Sequence, residues 1–167
     1  MNAESIERTI IGKPLIILHV EDNNDHADLV ARTLTNHCVA NKIKLVCDGQ
    51  AALDYLFRRG EFTDPVKNPR PTLVLLDLRL PKIDGLDVLS IIKTTDELSS
   101  IPVVVLTSSE AEIDLVRAYK YHANSYLVKP VGFEEFSHMM GQLGFYWLCW
   151  NRYPWLTEEE VLSGENP

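Results

Sequence analysis

Four short runs of this chain are apolar on successive residues: Leu15–Val20, Ile43–Val46, Thr72–Leu76 and Val103–Thr107. Their length and their Leu, Ile and Val content read as strands, and a weaker fifth strand is expected at Ser125–Val128. A strand with one wet face would alternate apolar and polar residues. Successive apolar residues mark strands covered on both faces, the habit of parallel sheets whose crossovers carry helices. Those helices are legible between the strands. Ala27, Val30, Ala31 and Leu34 stand at i, i+3, i+4 and i+7, and Asp48–Arg59, Gly85–Thr95, Glu110–Tyr121 and Phe133–Trp150 complete the set. Five strands alternating with five helices predict a doubly wound α/β sheet.

A length of 167 residues, 46% of them hydrophobic, suits one core and leaves no room for a second domain. The expected organisation is an N-terminal extension over 1–12, one domain over 13–150 and a tail over 151–167. The segment GEFTDPVKNPRP at 60–71 reads as a long loop before the third strand. A net charge of −8 without a basic cluster argues against nucleic acid as a partner. Cys38, Cys47 and Cys149 form no CxxC pair and read as reduced thiols. The opening MNAESIERTIIGKP lacks the apolar run of a secretory leader, and no stretch approaches the ~18 apolar residues of a membrane span. A soluble, cytoplasmic protein with no membrane partner is expected.

Ligands of open parallel sheets bind beyond the carboxyl ends of the strands. Glu21 and Asp22 follow the first strand and Asp77 interrupts the apolar run LVLLDLRLP at the end of the third. Thr107 closes the fourth and Lys129 follows the fifth. Carboxylates gathered there repel by ~4 kcal/mol per pair at 4 Å and an effective dielectric of 20. Such a cluster either raises its pKa values or binds a cation, and hard oxygen donors without His or Cys favour Mg²⁺. A carboxylate beside a metal ion is a candidate phosphoryl acceptor. Lys129 and Thr107 would then hold phosphoryl oxygens, one by charge and one by hydrogen bond.

Each residue alone also has a plainer reading. Asp22, followed by Asn23 and Asn24, would cap a helix; Lys129 would be solvated, Thr107 an ordinary strand former, and His19 a core residue. Pro130 permits a cis bond after Lys129 that would aim the lysine inward. Asp84–Gly85 is a turn signal.

The order ED, D, T and KP on these strand ends resembles the receiver domain of two-component response regulators, over about residues 13–148. The resemblance implies a flavodoxin-like (βα)5 fold with strand order 2-1-3-4-5 and phosphotransfer from a sensor histidine kinase onto Asp77. It also implies Mg²⁺ held by Asp22, Asp77 and the Arg79 carbonyl, with Glu21 acting through water, and a switch pair made of Thr107 and Tyr126. HVEDNNDHADLVARTL, the loop at 60–71 and GFYWLCWNRYP resemble the single-domain response regulators of cyanobacterial phytochromes. Those lack an output domain and extend their last helix, so a phytochrome kinase is the implied partner. Arg79 departs from the Asn or Lys common two residues after the acceptor, which bears on the rate of dephosphorylation.

Three other classes fit less well. An aspartate-nucleophile phosphatase needs a second acid where Arg79 stands. A DNA-binding regulator needs an output domain. A phosphorylation-independent scaffold would be favoured by a lost site residue, and none is lost. The chain therefore reads as a signalling phosphoacceptor that catalyses only its own phosphotransfer and dephosphorylation.

The end of the last helix carries a further signal. Phe136, Met140, Leu143, Trp147 and Trp150 form one helical stripe, yet GFYWLCW at 144–150 is apolar on every side. One helix cannot bury every face against one sheet, so a homodimer using Phe145, Trp147 and Trp150 is expected. The alternative is that WNRYPWL at 150–156 folds back over the helix.

Overall fold

The computed structural model describes residues 15–35 and 41–153. All five expected strands are present, as β1 Leu15–Val20, β2 Asn41–Val46, β3 Leu73–Leu76, β4 Val103–Thr107 and β5 Ser125–Val128. They form one parallel sheet in the order β2-β1-β3-β4-β5. The helices are α1 Asn24–Thr35, α2 Gly49–Leu56, α3 Gly85–Thr94, α4 Glu112–Lys120 and α5 Phe133–Gly144, with a single helical turn at Asp96–Ser99. This is the doubly wound sheet expected from the run of elements, in the flavodoxin-like order that the receiver resemblance implies.

Side chains alternate across a strand, so each strand feeds two cores. Leu18, Val20, Val74, Leu76, Val103 and Val105 meet α2 and α3 on one face. Ile17, Leu73, Leu75, Val104 and Leu106 meet Val30 and Leu34 of α1 and Phe136, Met140 and Leu143 of α5 on the other. Every residue of β3 and β4 is buried, which explains their unbroken apolar sequence. At the sheet's edges the pattern loosens. β5 is half-buried with Val128 exposed. β2 carries Lys42 and Lys44, charges that discourage pairing with another edge.

Two helices end earlier than their periodicity suggests. α2 stops at Leu56 because Arg58 and Gly60 take left-handed φ values of 55° and 58°. The α-helical part of α5 stops at Gly144, and Phe145–Trp150 continues as a π-helical turn. That wider turn shifts the register of the apolar stripe. Trp147 and Leu148 enter the core, whereas Phe145, Tyr146 and Trp150 are 53%, 55% and 64% exposed. Trp147 is therefore a core residue, contrary to its expected place in an interface. Tyr153 is also buried, its hydroxyl donating to the Trp147 carbonyl at 2.9 Å. Residues 1–12, Cys38 and the proposed fold-back beyond Tyr153 lie outside the described residues.

Candidate functional site

The strand ends bring the expected residues together. Beyond β3, the Asp77 amide still donates to the Val20 carbonyl at 3.0 Å, and beyond β5 the Lys129 amide donates to the Thr107 carbonyl at 2.8 Å. Each residue thus extends its strand by one ladder position, and that fixes where its side chain points. The Lys129–Pro130 bond is trans, as is every peptide bond among the described residues. The expected cis bond is not what turns Lys129 inward: the ladder bond to Thr107 does so, and Pro130, having no N–H, ends the pairing.

Asp77 is buried and both its oxygens are used. Oδ1 accepts from the amides of Leu78 (2.6 Å) and Arg79 (3.2 Å), and Oδ2 accepts from Lys129 Nζ at 2.7 Å. The same ammonium donates to Glu21 Oε2 and lies 3.3 Å from His26 Nδ1. Glu21 Oε1 accepts from the Asn23 amide at 3.1 Å. Burial pushes the Asp77 carboxyl up, but the Lys129 bond and charge, the Arg79 amide and the Thr107 hydroxyl outweigh it. The result lies below the usual carboxylate value, so Asp77 is ionised near neutral pH.

Glu21, Asp22 and Asp77 each offer an oxygen, and these atoms lie within 4.8 Å of one another. Glu21 and Asp77 are buried while Asp22 is exposed. Three formal carboxylates against the one ammonium of Lys129 leave two negative charges, the charge of a divalent cation. The donors are all hard oxygens, so the residues fit such an ion. Asp22 is not the cap of α1; Asn23 Oδ1 takes that role, accepting from the His26 amide at 3.1 Å. Thr107 is fully buried. Tyr126 is half-buried, its hydroxyl donating to the Ser109 carbonyl at 3.0 Å.

Five residues make contacts at the site that the sequence reading did not assign. His26 touches Lys129, and its ring packs 6.1 Å from Phe136 of α5. Arg79, expected to contribute its carbonyl to a metal, also reaches Asp114 with its guanidinium and Asp77 with its amide. Ser109 joins Asp114 from the loop after β4. Gly85 lies against the backbone of Asp77 and Leu78. The Asp84–Gly85 turn signal marked that place without revealing the contact.

His19 is a core residue, as expected, with no partner for Nδ1. Burial, then the charge of Lys129, lowers it from 6.5 to about 3, against an upward pull from Asp77. Above pH 6.5 the folded and unfolded chains are both neutral at His19 and it adds nothing to pH dependence. Below that, the unfolded chain takes a proton that the folded chain refuses, so stability falls as pH drops towards about 3. The loss is about 2 kcal/mol at pH 5. Urea unfolding of wild type and His19→Leu at pH 7 and 5 should show the variant losing about 2 kcal/mol less over that interval. Equal losses would mean that His19 charges freely in the folded state.

A family model, the response regulator receiver domain, matches residues 17–140. FilR2 of Methanothrix harundinacea, a probable methanogenesis regulatory protein, is 49% identical over 141 residues, spanning 84% of this chain and 88% of that protein. The response regulator Rcp1 of Synechocystis sp. is 39% identical over 135 residues, spanning 81% and 90%. The crystal structure of the Mn²⁺-bound form of Rcp1 superimposes with a TM-score of 0.81 at 38% identity, over 84% of this chain and 99% of that one. The phosphorylated cyanobacterial phytochrome response regulator RcpA gives 0.81 at 36% identity, over 85% and 99%. No helix among the described residues is long and apolar enough to cross a membrane. Sequence match, sheet order and acidic pocket agree: the chain belongs to the response regulator receiver domain family of two-component phosphorelays.

Proposed function

We propose that Asp77 accepts a phosphoryl group from the phosphohistidine of a sensor kinase and that its occupancy switches partner binding. The observation that carries this reading is the state of Asp77. It is fixed at a strand end by two amides and an ammonium, and flanked by two further carboxylates. In the transfer the P–N bond breaks as a P–O bond forms to a carboxylate oxygen of Asp77, and the kinase imidazole leaves. Mg²⁺, held by Asp22, Asp77 and the Arg79 carbonyl with Glu21 through water, would neutralise charge on the phosphoryl oxygens. Lys129 then holds one oxygen by charge, and the Thr107 hydroxyl donates to another. Tyr126 turns inward behind Thr107, giving a two-state bias.

On this reading the receiver unit spans 13–150, resides in the cytoplasm and is a signalling phosphoacceptor, not an enzyme acting on separate substrates. Asp22→Ala should weaken magnesium binding, read by NMR titration; unchanged affinity would remove Asp22 from the metal site.

The proposed donor is a phytochrome-type histidine kinase, supported by the likeness to Rcp1 and RcpA. A second reading, a kinase outside photoreception, is favoured by the higher identity to FilR2. Phosphotransfer assays with purified kinases of both kinds test the pairing. Faster labelling of this chain by a phytochrome kinase supports the first reading, and faster labelling by the other supports the second.

A homodimer is proposed through the exposed face of α5 and its π turn. Phe145 and Trp150 stack edge to face, 6.0 Å apart. Phe133, Ser137, Gly141 and Phe145, four residues apart, line a groove of about 710 Å³ along the helix. A second copy would bury these rings, each worth ~1.5–3 kcal/mol when removed from water. Sedimentation at micromolar concentration should show a dimer for wild type and a folded monomer for Phe145→Glu and Trp150→Glu. Trp147→Glu should instead unfold the chain, since it buries a charge in the core. A monomeric wild type would refute the dimer.

A further inference from the structure

Ser109 lies two residues past Thr107, and three of its groups are held. Its amide donates to Thr107 Oγ1 at 3.2 Å, its carbonyl accepts from the Tyr126 hydroxyl at 3.0 Å, and its hydroxyl donates to Asp114 Oδ2 at 2.6 Å. The same Asp114 oxygen accepts from Arg79 Nη2 at 2.5 Å. Arg79 is joined to the acceptor in turn, its amide donating to Asp77 Oδ1.

One carboxylate in the first turn of α4 therefore ties the loop after β3 to the loop after β4. Through Ser109 it also reaches both Thr107 and Tyr126. An acid in a first helical turn is ordinarily explained by the helix dipole, and such acids are solvated. Asp114 is only 4% exposed, and a guanidinium and a hydroxyl converge on a single one of its oxygens. A buried carboxylate held by two charge-assisted bonds is a costly arrangement to break, so it fixes the loops that it joins.

We propose that Asp114 is a positioning residue for phosphoryl capture. In the resting protein it holds Arg79 and Ser109, and with them the Thr107 hydroxyl and the Tyr126 ring, in positions that must be given up when Asp77 is phosphorylated. The inference rests on Asp77 being the acceptor, as proposed above. A phosphoryl group on Asp77 offers Arg79 a second anion beside its own backbone. Engagement of that group by Thr107 strains the Ser109 amide bond to Thr107 Oγ1, and inward rotation of Tyr126 breaks its bond to the Ser109 carbonyl. Both motions pull on Ser109, and Asp114 is what resists. The latch thus opposes capture, and weakening it favours the phosphorylated arrangement.

The test has two arms, both on the full chain, with Asp114→Asn, Ser109→Ala and the double variant. In the first, amide hydrogen exchange is followed in the unphosphorylated protein. Exchange at Ser109 should rise about five- to thirtyfold in Asp114→Asn, the range of a modest coupling. In the second, acetyl phosphate serves as donor at saturating magnesium. Its P–O bond to acetate breaks as the bond to Asp77 forms, and acetate leaves. Each single variant should incorporate phosphate about five- to thirtyfold faster than wild type, and the double variant no faster than the better single one, because both cut the same latch.

A merely structural role would give the opposite sign, with lower melting temperatures and slower incorporation. Unchanged Ser109 exchange overturns the latch whatever the rates. Raised exchange with unchanged or slower incorporation in both variants overturns the positioning role, as do additive accelerations. A wild-type chain that never incorporates phosphate overturns the acceptor reading and the capture role together, while the exchange arm still decides whether the latch exists.

Discussion

Asp77→Asn is expected to abolish phosphoryl incorporation from any donor while leaving a folded protein. The amide keeps the shape of the carboxylate and accepts the Leu78 and Arg79 amide bonds, but it is no nucleophile. Lys129 retains Glu21 as its partner, so the ammonium is not stranded. Losing one charge-assisted bond should cost about 1–3 kcal/mol of stability. The pH dependence of that loss has a definite sign. Because the Asp77 carboxyl lies below its usual value of 3.8, its ionised form stabilises the fold above that pH. The contribution fades as pH falls through the lower folded value, and the variant should lack this part of the acid limb. Radiolabel incorporation checks the first half, and denaturant unfolding at pH 7 and across the acid range below about pH 5 checks the second. Undiminished labelling of a folded Asp77→Asn would move the acceptor elsewhere.

Gly85→Ala is expected to damage both the fold and the acceptor site. A Cβ at this position would sit 2.1 Å from the Asp77 carbonyl oxygen and 2.6 Å from the Leu78 Cα, both backbone atoms that cannot turn aside. The Gly85 amide meanwhile donates to the Leu78 carbonyl at 2.9 Å, which draws α3 onto the acceptor loop. Relieving the clash means lifting α3 away or displacing Asp77, at about 3 kcal/mol or more, with slower phosphorylation. Gly141→Ala is the control. Nothing lies within 4 Å of a Cβ there, so the gain in helix propensity should stabilise the monomer by roughly 0.5–1 kcal/mol. If both variants melted like wild type, α3 would not approach the acceptor so closely.

The strands and the acidic pocket were legible because both are written locally. A strand covered on both faces must be apolar on successive residues, and β3 and β4 are buried at every position. Polar residues that close such strands stand out, which is how Asp77, Thr107 and Lys129 declared themselves. Edge strand β5 was fainter because half of its surface is left to solvent.

What stayed hidden depends on distant partners or on backbone detail. Arg79 and Asp114 are 35 positions apart, and no periodicity links them. His26 joins Lys129 across 103 positions. The helical stripe correctly placed Phe136, Met140 and Leu143, but a π turn widens the spiral after Gly144 and moves Trp150 outward. Trp147 was misassigned because an all-apolar run does not say which of its residues the turn will bury. The inward aim of Lys129 was correct, but its cause was a ladder bond to Thr107 and not a cis proline.

The most direct measurement locates the phosphoryl group. The chain is incubated with acetyl phosphate and magnesium, the acyl phosphate is reduced with borohydride to an alcohol, and the peptides are mapped by mass spectrometry. The expected product carries homoserine at position 77 and nowhere else, and it is absent when the donor is omitted. Reduction at Asp22, Glu21 or another acid, or no donor-dependent product at all, would contradict the assignment of Asp77 as the phosphoacceptor.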